Sequence, residues 1–126
     1  MNLKKSMKKA RKIIESRYED TCTIIELQNI YNSDSKKTLP TEITVYEDKP
    51  CQLSFKTVTD NEETSVGGAQ KIQIVELFIS PDLEIKPGSK IVVKHKGRET
   101  AYKNSGEPSI YNTQQTIILE LFEKWS

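Results

Sequence analysis

The sequence contains few of the side chains from which catalytic and metal sites are usually built. It has one histidine, two cysteines and one tryptophan among 126 residues. Cys22 and Cys51 lack a CxxC partner or a nearby histidine, so the sequence predicts no zinc site. We expect two free, buried thiols, as is usual for a protein of a reducing cytosol. No metal and no cofactor are predicted.

Apolar residues are also scarce. They make up 35% of the chain, and the mean hydropathy is −0.61. No apolar run approaches the ~18 residues that a membrane-spanning helix needs. The basic N-terminus is not followed by an apolar segment, so a secretory signal peptide is not expected either. The length fits one domain, residues 1–126, with a thin core or a core completed by neighbouring subunits.

The candidates for catalysis are weak. In a predicted strand, His95 lies on the same face as Ile91 and Val93, which favours a structural or surface role. Glu62 and Glu63 are adjacent and would point apart in an extended segment, so they make a poor acid–base pair. The pair Gly67-Gly68 lacks the lysine and the strand–loop–helix context of a phosphate-binding loop. The sequence therefore predicts that the protein is not an enzyme.

Charge is distributed unevenly along the chain. Residues 1–17 contain seven basic residues and one acidic residue, a net charge of +6, whereas the remainder carries −5. Within this arm, helical spacing puts one apolar stripe on a single face, formed by Leu3, Met7, Ala10 and Ile14. The arm is therefore predicted to be a basic amphipathic helix whose other side carries Lys4, Lys5, Lys8, Lys9, Arg11 and Lys12. Such asymmetry suggests an acidic partner, either a protein surface or nucleic acid. An ordinary packed helix with a solvated basic face is an equally good interpretation of the sequence.

The body, residues 18–126, has strand periodicity. We predict a mainly β fold, a small barrel or sandwich of six or seven strands. Asp48 and Pro50 are expected to end one short strand before the half-buried strand of residues 51–55 begins. A slip in parity near Val75 predicts a bulge, or a strand covered on both faces. The other predicted strands cover residues 21–30, 42–46, 71–80, 91–93, 98–103 and 113–123.

Two turn signals and one long loop divide these strands. Pro87-Gly88 has the chemistry of a type II turn, which requires a positive φ at the glycine. Gly97 lies where a hairpin turn is expected. Residues 57–69 are too polar for the core and are predicted to form a loop of unusual length. This loop contains Asp60, Glu62, Glu63, Gly67 and Gly68.

Four segments resemble a known family in their order and spacing. They are PCQLS at 50–54, LFISPDLEIKPGSKI at 77–91, Gly97-Arg98, and YKNSGEP at 102–108. Together they resemble the head-closure, or stopper, proteins of long-tailed phages and prophages of Gram-positive hosts, also called minor capsid or head–tail connector proteins. The resemblance covers about residues 18–124. Many relatives have a His-Gln pair where this chain has Gln114-Gln115.

The resemblance implies a structural virion protein of the phage neck, assembled in the host cytoplasm. Its subunits would form an oligomeric ring below the portal and adaptor, close the DNA-filled head and receive the tail. Double-stranded DNA would pass through the channel without sequence-specific binding, and no membrane would be involved. The long loop, with Asp60, Glu62 and Glu63, would face the channel and repel phosphates, while Gly67 and Gly68 would allow it to move. A solvated surface loop that points outward is the alternative for this segment. The basic helix would dock on an acidic surface of the portal, the adaptor or a neighbouring subunit.

Two other functions stay open at this stage. Another neck component is one, either a tail terminator or an adaptor, and an adaptor should be mainly helical. The second is a small barrel that binds single-stranded nucleic acid. That function needs aromatic residues interleaved with basic ones on a strand face, whereas the aromatics here are dispersed and the body is acidic.

Overall fold

The fold is mainly β, with one helix near the N-terminus. The computed structural model describes residues 3–60 and 70–125. The predicted N-terminal helix is confirmed as α1, Leu3–Ser16. The strands of the described part are β1 Asp20–Asn32, β2 Lys37–Asp60, β3 Gln70–Ile79, β4 Lys90–His95, β5 Arg98–Asn104, β6 Ser109–Ile110 and β7 Gln115–Leu121.

The strands form one antiparallel sheet that closes on itself, which confirms the predicted barrel-like architecture. Their order is β3–β2–β1–β4–β5–β7, and pairing of β3 with β7 completes the strand ring. The short strand β6 pairs with β7 beside the end of β5. Alternate residues point inward, because successive side chains of a strand face opposite sides. These inward residues make the core: Cys22, Ile24, Cys51, Leu53, Leu77, Ile79, Ile85, Ile91, Val93, Tyr102, Ile117 and Leu119.

β2 shows that the predicted break at Asp48 and Pro50 is wrong. The strand is continuous over 24 residues and passes through both positions. The pairing with β1 has two register shifts, between Cys22 and Ile24 and between Ile24 and Ile25. Asp48 lies in the first shift, whereas Pro50 pairs in regular register with Thr21. Asp48 has a φ of 48°, a left-handed conformation that aspartate tolerates better than most residues and that is common at bulges. A bulge bends a strand without ending it, so turn-forming residues here did not mark a turn.

Other local predictions had mixed outcomes. The turn at Pro87-Gly88 is confirmed, because Gly88 has a φ of 84° and the Ser89 amide donates to the Lys86 carbonyl at 3.1 Å. The hairpin at Gly97 is confirmed too, with positive φ at Lys96 and Gly97 between the paired residues His95 and Arg98. The bulge near Val75 is wrong, since β3 pairs in unbroken register on both sides. The apolar positions change from even to odd numbers near Val75 because β3 carries apolar residues on both of its faces.

Two hairpins extend beyond the strand ring. β1 pairs with β4 only as far as Ile25, so residues 26–32 and 37–43 continue as a two-stranded β1–β2 ribbon. β3 pairs with β7 only from Val75, so residues 56–60 and 70–74 form a two-stranded β2–β3 ribbon. The β2–β3 ribbon corrects the loop prediction, because residues 57–60 belong to β2. The two ribbons lie at opposite ends of β2.

Candidate interaction surfaces

The helix α1 is attached to the body through its less polar side. Met7, Ala10 and Ile14 are half-buried there. Arg11 makes the firmest contact: its Nη1 lies 2.7 Å from Asp82 Oδ1, and its Nε donates to the Asn112 carbonyl at 2.6 Å. Both partners are loop residues of the same chain. Arg11, one of the predicted docking residues, thus contacts the protein's own body.

The opposite side of α1 is a cationic surface. Lys5, Lys8, Lys9 and Lys12 are all exposed. Their spacing of three and four residues places them as neighbours along one side of the helix. Lys4 belongs to α1, but its side chain lies outside the described residues. We call these four exposed lysines the lysine face.

The predicted channel loop is only partly covered by the described residues. Asp60 ends β2 and pairs with Gln70, the first residue of β3. This pairing brings the two ends of the connection side by side. Glu62, Glu63, Gly67 and Gly68 lie outside the described residues, so their assignment to a channel stays a prediction.

A buried polar cluster holds the end of the strand ring nearest α1. Asp20 is 2% exposed. Its carboxylate accepts from the Leu53 amide at 2.8 Å and from Gln52 Nε2 at 3.2 Å, and its Oδ1 lies 2.8 Å from His95 Nδ1. The cluster joins β1, β2 and β4 side by side. Hydrogen bonding of this kind is what makes burial of a carboxylate tolerable.

The two thiols adjoin this cluster, and the Cys51 thiol is kept protonated. Cys22 and Cys51 are free and buried, as predicted. A hydrogen bond with the Cys22 side chain raises the pKa of Cys51, and burial raises it further. A catalytic cysteine needs the opposite shift, because the thiolate is the nucleophile. The raised pKa therefore favours a structural role for the Cys51 thiol.

Two further buried side-chain amides hold the β3–β4 connection against the strand ring by hydrogen bonds. Gln115 Nε2 donates to the carbonyls of Ser80 and Leu83 at 2.7 and 2.6 Å. Asn104 Nδ2 donates to the Lys86 carbonyl at 3.3 Å, and its backbone exchanges hydrogen bonds with Gly88 and Ser89. These amides fix the connection between β3 and β4 from both sides.

The ribbons expose apolar side chains that a solitary domain would normally cover. On the β1–β2 ribbon the cross-strand pair Ile30 and Leu39 is exposed, as are Leu27 and Tyr31. On the β2–β3 ribbon Ile72 is 47% exposed and pairs with Val58. Clustered apolar residues on protruding strands are typical of surfaces that bind another protein.

Other kinds of site find no support in the described part of the chain. Residues 3–60 and 70–125 contain no group of three or more histidine, cysteine, aspartate or glutamate side chains placed to hold a metal ion. Within the same ranges no helix has the length and apolar character required to cross a membrane.

Comparison with known proteins reveals a likeness of fold. Neither the protein-family models nor the curated proteins contain a match. Among solved structures, the chain is similar to the phage-like element PBSX protein xkdH from Bacillus subtilis, with a TM-score of 0.50. The match covers 83% of this chain and 96% of that chain, at 12% sequence identity. The two proteins share a fold.

Sequence reasoning missed the polar cluster, although part of its signal was present. Asp20 has the same parity as Cys22 and Ile24, which marks it as inward-facing, and His95 has the parity of Val93. What the sequence lacked was the register of β1 against β4, in which Thr21 pairs with Lys94. That register places Asp20 beside His95, 75 residues away along the chain.

Proposed function

We propose that this protein is a structural component of the neck of a long-tailed bacteriophage. In this proposal its copies form an oligomeric ring below the portal and adaptor, close the DNA-filled head and provide the attachment site for the tail. DNA passes through the ring without sequence-specific contacts. The protein acts mechanically, as a virion component and not as an enzyme.

The likeness of fold to a protein of a phage-like element carries this proposal. It extends over 96% of the xkdH chain, so it concerns the whole fold and not one shared motif. The strand-rich fold also argues against an adaptor, which we expected to be mainly helical. A tail terminator is the remaining alternative within the neck.

The segments that resemble stopper proteins support the proposal in a different way. The segment at 77–91 and the segment at 102–108 contact each other through Asn104, which bonds Lys86, Gly88 and Ser89. The segment at 50–54 contains Gln52 and Leu53, which bind Asp20. The resemblance is therefore carried by residues that hold this fold together, and a shared architecture explains why they recur in the same order.

The first test is the location of the protein in particles of its phage. Mutants that make no tails should accumulate DNA-filled heads that retain this protein, detected by mass spectrometry or by a cryo-EM map of the neck. Mutants that make no heads should accumulate tails that lack it. Recovery on free tails instead would identify a tail terminator, and absence from both particles would reject a role in the neck.

The lysine face is predicted to bind an acidic surface of the portal, the adaptor or a neighbouring subunit. Replacing Lys5, Lys8 and Lys12 with glutamate should reduce incorporation into necks at least ~10-fold, because reversed charges repel an acidic partner. The loss should be largest at low ionic strength, since salt screens exposed charges. Incorporation is measured by quantifying the protein in purified heads.

A matched variant separates this effect from a change of net charge. Lys36, Arg98 and Lys124 are exposed basic residues outside α1. Their replacement with glutamate changes the net charge equally and should leave incorporation close to that of the wild type. Equal losses in the two triple variants would contradict docking through the lysine face.

A further inference from the structure

A cleft lies beside the base of the β1–β2 ribbon. Its volume is about 380 Å3. One wall is the edge of β1 just beyond the point where pairing with β4 ends, and the other is the Pro87-Gly88 turn. The lining includes Glu26, Leu27, Gln28, Pro87, Gly88 and Trp125. Among the described residues no strand pairs with this edge of β1, so its backbone faces the cleft.

The cleft also contains a polar group without a partner. Ser89 lines it and is 3% exposed, and its hydroxyl has no hydrogen-bond partner among the described residues. Burying a hydroxyl without a partner costs about 1–3 kcal/mol. A ligand with backbone amide and carbonyl groups would pair with the β1 edge, whereas the Ser89 hydroxyl is buried behind the lining and is not reached from the cleft.

The C-terminal residues brace the same region. Trp125 Nε1 donates to Glu42 Oε1 at 3.1 Å, and the Lys90 ammonium lies 3.4 Å from the same oxygen. Phe122 packs edge-to-face on Trp125 at 5.1 Å. Because β4, β2 and the C-terminal segment are tied together here, the cleft has a fixed shape, which favours binding over a loose contact.

We propose that this cleft binds a strand from a second copy of the chain, residues 70–74 at the start of β3. The inference rests on the proposed function, for which it supplies the contact between copies in the oligomeric ring. The bound strand would extend the sheet by pairing with β1, the mode of recognition known as β-strand addition. Leu27 in the cleft, 38% exposed, would pack against Ile72 or Ile74 of the incoming strand.

Two features select residues 70–74 as the occupant. Their edge is unpaired on the side of β7 among the described residues, because that pairing begins only at Val75. They contain the exposed Ile72 and the half-buried Ile74.

The arrangement of the ribbons makes this contact head-to-tail. They lie at opposite ends of β2, so each copy offers one cleft and one strand. A two-fold dimer built on the β1–β2 ribbon alone would leave the β2–β3 ribbon exposed, and a reciprocal two-fold dimer would require both cleft–strand contacts to form between the same two copies. Head-to-tail contacts instead cover both ribbons on every copy, and such contacts close into a ring when the rotation allows it. About five paired residues is a small interface, so we expect weak association of isolated copies.

Mixing two variants tests the proposal. Leu27→Arg blocks the cleft and leaves the strand intact, whereas Ile72→Lys alters the strand and leaves the cleft intact. Each variant alone should associate at least ~10-fold more weakly than the wild type in sedimentation equilibrium up to about 1 mM. An equimolar mixture should recover association, but only as far as a heterodimer, because each pair has one intact contact. Ile110→Lys, an exposed isoleucine outside both ribbons, should associate like the wild type.

The remaining outcomes overturn the proposal. A wild type that stays monomeric at about 1 mM excludes this contact. Self-association of Ile72→Lys at wild-type strength shows a two-fold contact between β1–β2 ribbons, and a mixture that recovers nothing shows that the cleft and the strand are not partners. Circular dichroism and thermal melting check that each variant is folded. Retention of the wild-type protein on filled heads tests the neck function separately, so the two proposals can fail independently.

Discussion

Replacing Asp20 with alanine is expected to lower the free energy of unfolding by about 2–4 kcal/mol. Asp20 is the only acidic residue in the described part of the chain with less than a tenth of its surface exposed. Its removal leaves the Leu53 amide without an acceptor in the core and takes the partner from His95 Nδ1. Urea denaturation followed by circular dichroism measures the change.

Two companion variants make the result specific. Asp20→Asn can keep the one oxygen that accepts from both the Leu53 amide and Gln52 Nε2, and it replaces the oxygen facing His95 Nδ1 with an NH2 group, so its loss should be smaller than that of alanine. Asp34→Ala removes an exposed aspartate from the turn between β1 and β2 and should change stability by no more than about 0.5 kcal/mol. If Asp20→Ala lowers the free energy of unfolding by less than about 1 kcal/mol, the polar cluster does not stabilise that end of the strand ring.

Replacing Gln115 with alanine is expected to lower the free energy of unfolding by about 2–3 kcal/mol. The side chain is 1% exposed, and its amide serves two carbonyls of the β3–β4 connection. Alanine leaves a cavity and deprives both carbonyls of this donor. Amide hydrogen exchange in residues 80–83 should accelerate as well, because that segment loses its attachment to β7.

Two variants separate the causes of this loss. Gln115→Met preserves most of the side-chain volume but cannot donate, so a loss of about 1–2 kcal/mol would be assigned to the missing hydrogen bonds. Gln114→Ala changes the adjacent, half-buried glutamine and should cost less than 1 kcal/mol. If Gln114→Ala and Gln115→Ala are equally destabilising, the contact with the loop is not the reason.

Gln115 also shows what the resemblance to stopper proteins could and could not supply. Many of the stopper proteins that this sequence resembles have His-Gln at the position of Gln114-Gln115, and the resemblance by itself implies no role for either glutamine. The structure places the Gln115 amide between two carbonyls and leaves Gln114 half-buried beside Phe78 and Tyr18. The glutamine at the second position of the pair is therefore structural in this chain.

Features that depend on neighbours in the chain could be predicted from the sequence. The helix Leu3–Ser16 follows from apolar residues repeating every three or four positions, and the type II turn follows from Pro87-Gly88. The mainly β body follows from residues that alternate over short stretches. Each of these rests on local backbone preferences and local periodicity, which a linear pattern records.

Features that depend on register and on distant contacts were decided only by the tertiary structure. Asp48 and Pro50 have the chemistry of a chain break, yet Asp48 lies in a bulge and Pro50 pairs with Thr21 within one continuous strand. The ribbons exist because pairing of β1 with β4 and of β3 with β7 stops before the hairpins end. The cluster at Asp20 and the cleft at Ser89 likewise join residues far apart in the chain. No local pattern encodes such distances, because strand register is set by the packing of the whole closed sheet.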